Sequence, residues 1–79
     1  AVAGGKTPLQ LTQWRKSVRQ LLREGFPTEE RTRVIEEVDN WQSWLDAYGT
    51  EVYRSRTRYL QISRELRLLK LDIVKSTGF

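Results

Sequence analysis

The side chains best equipped for chemistry in this sequence are carboxylates, serines and arginines, and the spacing of each set decides what it can do. Glu36, Glu37 and Asp39 stand close together, with Asp46 two turns further on. Carboxylates held near one another can exchange protons or hold a hard metal ion. No glycine-bearing loop and no second ligand cluster accompanies these, so they read as the solvated outer side of an amphipathic helix. Ser17, Ser43, Ser55 and Ser63 have no activating base, because the chain contains no histidine. It also contains no cysteine, which removes thiol nucleophiles and thiolate metal sites. No phosphate-cradling glycine-rich loop, dinucleotide fingerprint or internal repeat occurs. The expectation is a protein that is not an enzyme, with no metal, no cofactor and no small-molecule substrate.

Two kinds of binding chemistry remain. Arg54, Arg56, Arg58, Arg64 and Arg67, with Lys70 and Lys75, crowd the last third of the chain, and Tyr53 and Tyr59 stand among them. Neutralising phosphates needs cations that converge on one surface, and stacking on bases needs exposed rings beside them. At about 100° per residue Arg54 and Arg58 fall on one side of a helix, Arg56, Arg67 and Lys70 on another, and Arg64 elsewhere. The charge is scattered, so a nucleic-acid-binding module using Arg54, Arg56, Arg58, Arg64, Arg67 and Lys70 is the alternative reading. The preferred one is protein binding. Trp14 and Trp41 lie on apolar seams and belong to the core, whereas Trp44 sits at a seam's edge, where its indole could anchor a partner. In the last helix Val52, Tyr59, Ile62, Leu66, Leu69 and Ile73 form one stripe. Tyr53, Leu60 and Leu71 form a second about 140° away, flanked by Leu68 and Val74. A surplus apolar strip on a small domain marks an interaction site. Trp44, Tyr53, Leu60, Leu68 and Leu71 are therefore the expected partner-binding residues, and the partner is another protein chain, either a second copy or a different protein.

Helices must position these residues, and their end signals are legible. Thr7-Pro8-Leu9-Gln10 supplies an N-cap, a proline at the first helical position and a capping-box glutamine, so a helix is expected over about 8–24. Leu11, Trp14, Val18, Leu21 and Leu22 recur on one side of it. Gly25 suits a left-handed residue past the helix end, Phe26 can fold back on Leu21, and Pro27 completes the break. Thr28 is the next cap candidate, followed by Glu29 and Glu30 at the positive end of the helix dipole. That helix, about 28–48, carries Val34, Val38, Trp41, Leu45 and Tyr48 on its seam. Gly49 reads as its stop and Thr50 as the cap of a third helix over about 51–76.

Positions 34, 38, 41, 45, 48, 52, 55, 59, 62, 66, 69 and 73 nevertheless keep an unbroken 4-3 rhythm across Gly49, with Ser55 the one polar member. Sustained heptads are a coiled-coil signal, so one long dimerising helix after a short one is an alternative architecture. Charge favours closure into a bundle. Residues 1–26 sum to +4, residues 27–48 to −4 and residues 49–79 to +4, so an acidic helix can lie against two basic ones, whereas a parallel dimer would set like against like. The expected fold is all-α, a small three-helix up-down-up bundle.

With 79 residues, the chain has room for one small domain and no large internal active site. Residues 1–6 read as a disordered linker or cloning remnant and 7–77 as the single helical domain. No apolar run approaches the roughly 20 residues of a membrane span. The expectation is a soluble chain whose compartment is left open, with an intracellular setting favoured. Its expected role is that of a non-enzymatic protein-protein interaction or oligomerisation module acting through the apolar and basic surface of its last helix.

Overall fold

The computed structural model of the protein describes residues 5–76. They form three helices, α1 (Pro8–Glu24), α2 (Thr28–Val52) and α3 (Arg56–Lys75), packed as the expected all-α up-down-up bundle. The direction of each helix follows from who meets whom. Leu11 near the start of α1 shares a core cluster with Trp41, Trp44 and Leu45 from the second half of α2 and with Ile62 and Leu66 from the early and middle turns of α3. A second cluster joins Val18, Val34, Val38, Leu69 and Ile73 at the other end. Trp14 packs against both clusters and bridges them.

The first helix starts as its residues dictate. Thr7 is extended, its side chain accepts the Gln10 N–H at 3.2 Å, and the Gln10 side chain accepts the Thr7 N–H at 2.9 Å, a complete capping box. Gly25 has φ of 107°, a positive value that side chains rarely adopt, and it releases the chain into Phe26, which packs on the second cluster. The Thr28 cap does not form. Pro27 takes the N-cap position and no side chain caps α2 there, so the helix start rests on the dipole partners Glu29 and Glu30.

The division between the last two helices also differs from the expected one. Gly49 is a buried interior residue of α2, which continues through Thr50 to Val52, and the connector is Tyr53-Arg54-Ser55. The cause is tertiary. A Cβ on Gly49 would lie 2.4 Å from Cε1 and 2.5 Å from Cδ1 of Tyr59, so the absent side chain is what lets the α3 ring approach the α2 backbone. Ser55, not Thr50, caps α3: its hydroxyl accepts the Arg58 N–H at 3.3 Å. The expected linker over 1–6 falls mainly outside the described residues. Lys6 lies inside them, with its Nζ 4.7 Å from the Trp41 ring centroid, so the packed structure starts ahead of position 7.

Candidate partner-binding face

The inner seam of α3 is Ile62, Leu66, Leu69 and Ile73, all buried. These residues recur at i, i+4, i+7 and i+11 and leave the opposite side of the helix to the outside. Three leucines stand there. Leu60, Leu68 and Leu71 are 50%, 49% and 52% exposed, and Val74 beside them is 44% exposed. Leu60, Arg64, Leu68 and Leu71 follow at i, i+4, i+8 and i+11, so one face carries them all over roughly 16 Å of helix axis. Thr57, Leu60, Gln61, Arg64, Glu65 and Leu68 line a shallow groove of about 570 Å³ along it.

Two expected members of the strip are elsewhere. Trp44 is a core residue, 5% exposed, with its ring edge-on to Trp41 at 5.4 Å between centroids and 85° between planes. A helix wedged between two neighbours buries a wider arc than one seam, which draws the seam's edge inward. Tyr53 is not in α3; it is the half-buried C-cap residue of α2, packed against the Leu11–Leu66 cluster. Burial pushes its phenol above the ordinary value near 10, against the opposing pull of Arg15 and Arg58.

The basic residues divide by whether a carboxylate meets them. Lys70 Nζ lies 2.8 Å from Asp39 of α2 and is committed within the bundle. Arg54, Arg56, Arg58, Arg64 and Arg67 are exposed and have no carboxylate within 4.0 Å among the described residues. Arg54 belongs to the connector, Arg56 and Arg58 to the first turn of α3, and Arg64 and Arg67 to its middle, beside the leucines. Arg64 stands on the leucine face and Arg56 and Arg67 beside it, whereas Arg58 lies near enough to Arg15 of α1 to lower its pKa.

Charge pairing across the bundle departs from the block pattern. The acidic α2 reaches α3 through Asp39 and Lys70, but the arginines of α1 meet the few carboxylates of α3: Arg15 pairs with Glu65, and Arg19 with Asp72 at 2.6 Å. Glu37 of α2 instead accepts the Trp14 indole N–H at 3.1 Å and pairs with Arg33 of its own helix. Thr12, Arg15, Lys16, Arg19 and Arg23 stand on one side of α1 and face Glu65 and Leu69 across a groove of about 450 Å³. These cations recur at steps of three and four along the polar side of α1. Arg15 lies deepest among them: burial, reinforced by Arg58 and Arg19 and opposed by Tyr53, lowers its pKa from the usual value.

Among the described residues no group of three or more His, Cys, Asp or Glu is gathered for a metal ion, and Glu36 and Asp39 are exposed on α2. No helix among them is long and apolar enough to cross a membrane. Neither protein-family models, nor curated proteins, nor solved structures give any match to the chain. The function must therefore be argued from this chain's own geometry.

Proposed function

We propose that the protein is a non-enzymatic docking module whose outer α3 face receives an amphipathic helix of another protein, apolar along its centre and acidic along its flanks. The observation that carries this reading is the row of half-exposed Leu60, Leu68 and Leu71, opposite the helix's own buried seam. Each leucine keeps roughly 1 kcal/mol of unrealised burial, a strip that a partner helix of about three turns would cover.

Charge selects the kind of partner. Arg56, Arg64, Arg67 and Lys75 flank the strip and have no carboxylate within 4.0 Å among the described residues, and Glu65 of the same helix is committed to Arg15. A second copy laid on this face would set these cations against their duplicates, whereas Asp and Glu at the edges of a foreign helix would pair with them. So short a strip fits a small, transient contact, and the expected affinity is micromolar.

The test is fluorescence anisotropy with a labelled helical peptide bearing leucines at 4-3 spacing and glutamates beside them. It binds the wild type in the micromolar range, and Leu60→Glu with Leu71→Glu weakens binding at least tenfold while the fold survives. Equal binding to both proteins rejects the face. Single-stranded oligonucleotide is the contrasting probe. Binding tighter than the peptide's, steeply salt-dependent and reduced by Arg56→Ala with Arg67→Ala, would replace this reading with nucleic-acid recognition.

A further inference from the structure

We infer that two copies of this chain exchange α3, with α2 and α3 of each copy joined into one continuous helix and each α3 seated in the other copy's bundle. The register of the core points to this. Val34, Val38, Trp41, Leu45, Tyr48 and Val52 of α2 and Tyr59, Ile62, Leu66, Leu69 and Ile73 of α3 lie on one 4-3 rhythm that passes straight through the connector. A helical hairpin does not require its two arms to be in phase, because the turn between them can reset it. A single helix does require it.

The connector is suited to the change. It is three residues long, Tyr53-Arg54-Ser55, and contains neither glycine nor proline. The helix before it already runs through the Gly49-Thr50 stop signal. The contacts that hold α3 in place among the described residues can form between copies as well as within one: the two core clusters, Tyr59 against Gly49, Gln42 with Ser63, Lys70 with Asp39, Arg15 with Glu65 and Arg19 with Asp72. Two local features favour the closed hairpin: the Ser55 cap on Arg58, and Tyr53 of the connector itself, half-buried against the first core cluster. A short hinge closed by so little is the setting in which exchange between copies competes with folding within one. The exchanged helix, Thr28 to Lys75, would be roughly 72 Å long, against a greatest extent of 40 Å for the single bundle.

The test is sedimentation after refolding from denaturant at millimolar protein concentration. The wild type then contains a slowly dissociating dimer of the elongated shape. Ser55→Ala removes a cap that only the hairpin uses, twice per dimer, and lowers the dimer dissociation constant roughly thirtyfold. Arg56→Pro does the opposite. Proline is well placed at the first position of α3 behind the extended Ser55 (φ −95°, ψ 125°), but it interrupts a continuous helix, so this variant stays monomeric. Leu60→Glu with Leu71→Glu leaves the exchanged dimer intact, because the outer face takes no part in it. The inference is overturned if wild type and Ser55→Ala remain monomeric at every concentration. It is equally overturned if the dimer survives Arg56→Pro, or if the two leucine replacements abolish it. Loss of peptide binding at the outer face, by contrast, leaves the exchange untouched.

Discussion

Replacing Gly49 by alanine tests the contact that overrides the local stop signal. On intrinsic preference alone the change should help, since glycine inside a helix costs about 1 kcal/mol relative to alanine. The packing argues the other way. The new methyl would lie 2.4 and 2.5 Å from two carbons of the Tyr59 ring, more than an ångström inside ordinary contact, and 3.5 Å from Leu45 Cδ2. Relief requires the ring to swing away from the first core cluster or α3 to move outward, and overpacking of this kind costs typically 1–3 kcal/mol. The expected balance is a loss of about 1 kcal/mol, seen as a fall of about 4–8 °C in the melting temperature of a domain this size. Urea denaturation followed by circular dichroism measures it directly. The companion variant is Tyr59→Ala, which itself loses stability but leaves space for the methyl. In that background Gly49→Ala should become neutral or stabilising by up to about 1 kcal/mol, a coupling that a double-mutant cycle isolates. A Gly49→Ala protein as stable as the wild type with Tyr59 present would refute the reasoning.

Three further outcomes follow from particular contacts. Thr7→Ala removes the capping-box acceptor at the start of α1 and should cost about 1 kcal/mol by the same denaturation assay; no change would mean the first turn is held by other contacts. Glu65→Gln leaves the half-buried Arg15 guanidinium without its countercharge and should cost about 1 kcal/mol, whereas Asp72→Asn, in a pair that is 45% and 47% exposed, should stay within about 0.5 kcal/mol. Equal effects would contradict the burial difference. Burial holds the Tyr53 phenol proton in the folded chain at pH values where the unfolded chain has released it, so its contribution is complete below about pH 10 and falls away above it. Tyr53→Phe should flatten part of that alkaline loss, and an identical pH profile would refute the assignment.

How much of this was legible depended on what fixed each feature. Of the residues on the 4-3 rhythm, Val34, Val38, Trp41, Leu45, Ile62, Leu66, Leu69 and Ile73 are buried, because periodicity reports the face along each helix. Tyr48, Val52 and Tyr59 near the hairpin end are half-buried, and Ser55 is exposed in the connector. The break itself was misplaced. Gly49 carries a valid local stop signal, but the approach of Tyr59 from ten residues away gives it another use, and Ser55 takes over the capping that Thr50 was expected to provide. Trp44 was placed at the margin because one seam defines one face, while a helix with neighbours on two sides buries more. The exposure of Leu60, Leu68 and Leu71 could be anticipated from their position opposite the seam, whereas Tyr53 left the strip once the connector moved to include it. The α1–α3 pairs depend on the register in which two parallel helices meet, which block sums of charge do not contain. Ser63, buried and accepting a hydrogen bond from the Gln42 amide at 3.0 Å, had no signal except its place beside the seam.

Residue-resolved amide shifts on titration with the leucine-bearing acidic helix peptide give the most direct test of the docking face. The account predicts changes concentrated on Leu60, Arg64, Leu68 and Leu71 and their neighbours along the outside of α3, abolished by Leu60→Glu with Leu71→Glu. Changes centred instead on Arg15, Lys16, Arg19 and Arg23, indifferent to those two replacements, would show that the peptide answers only to charge and would contradict the account.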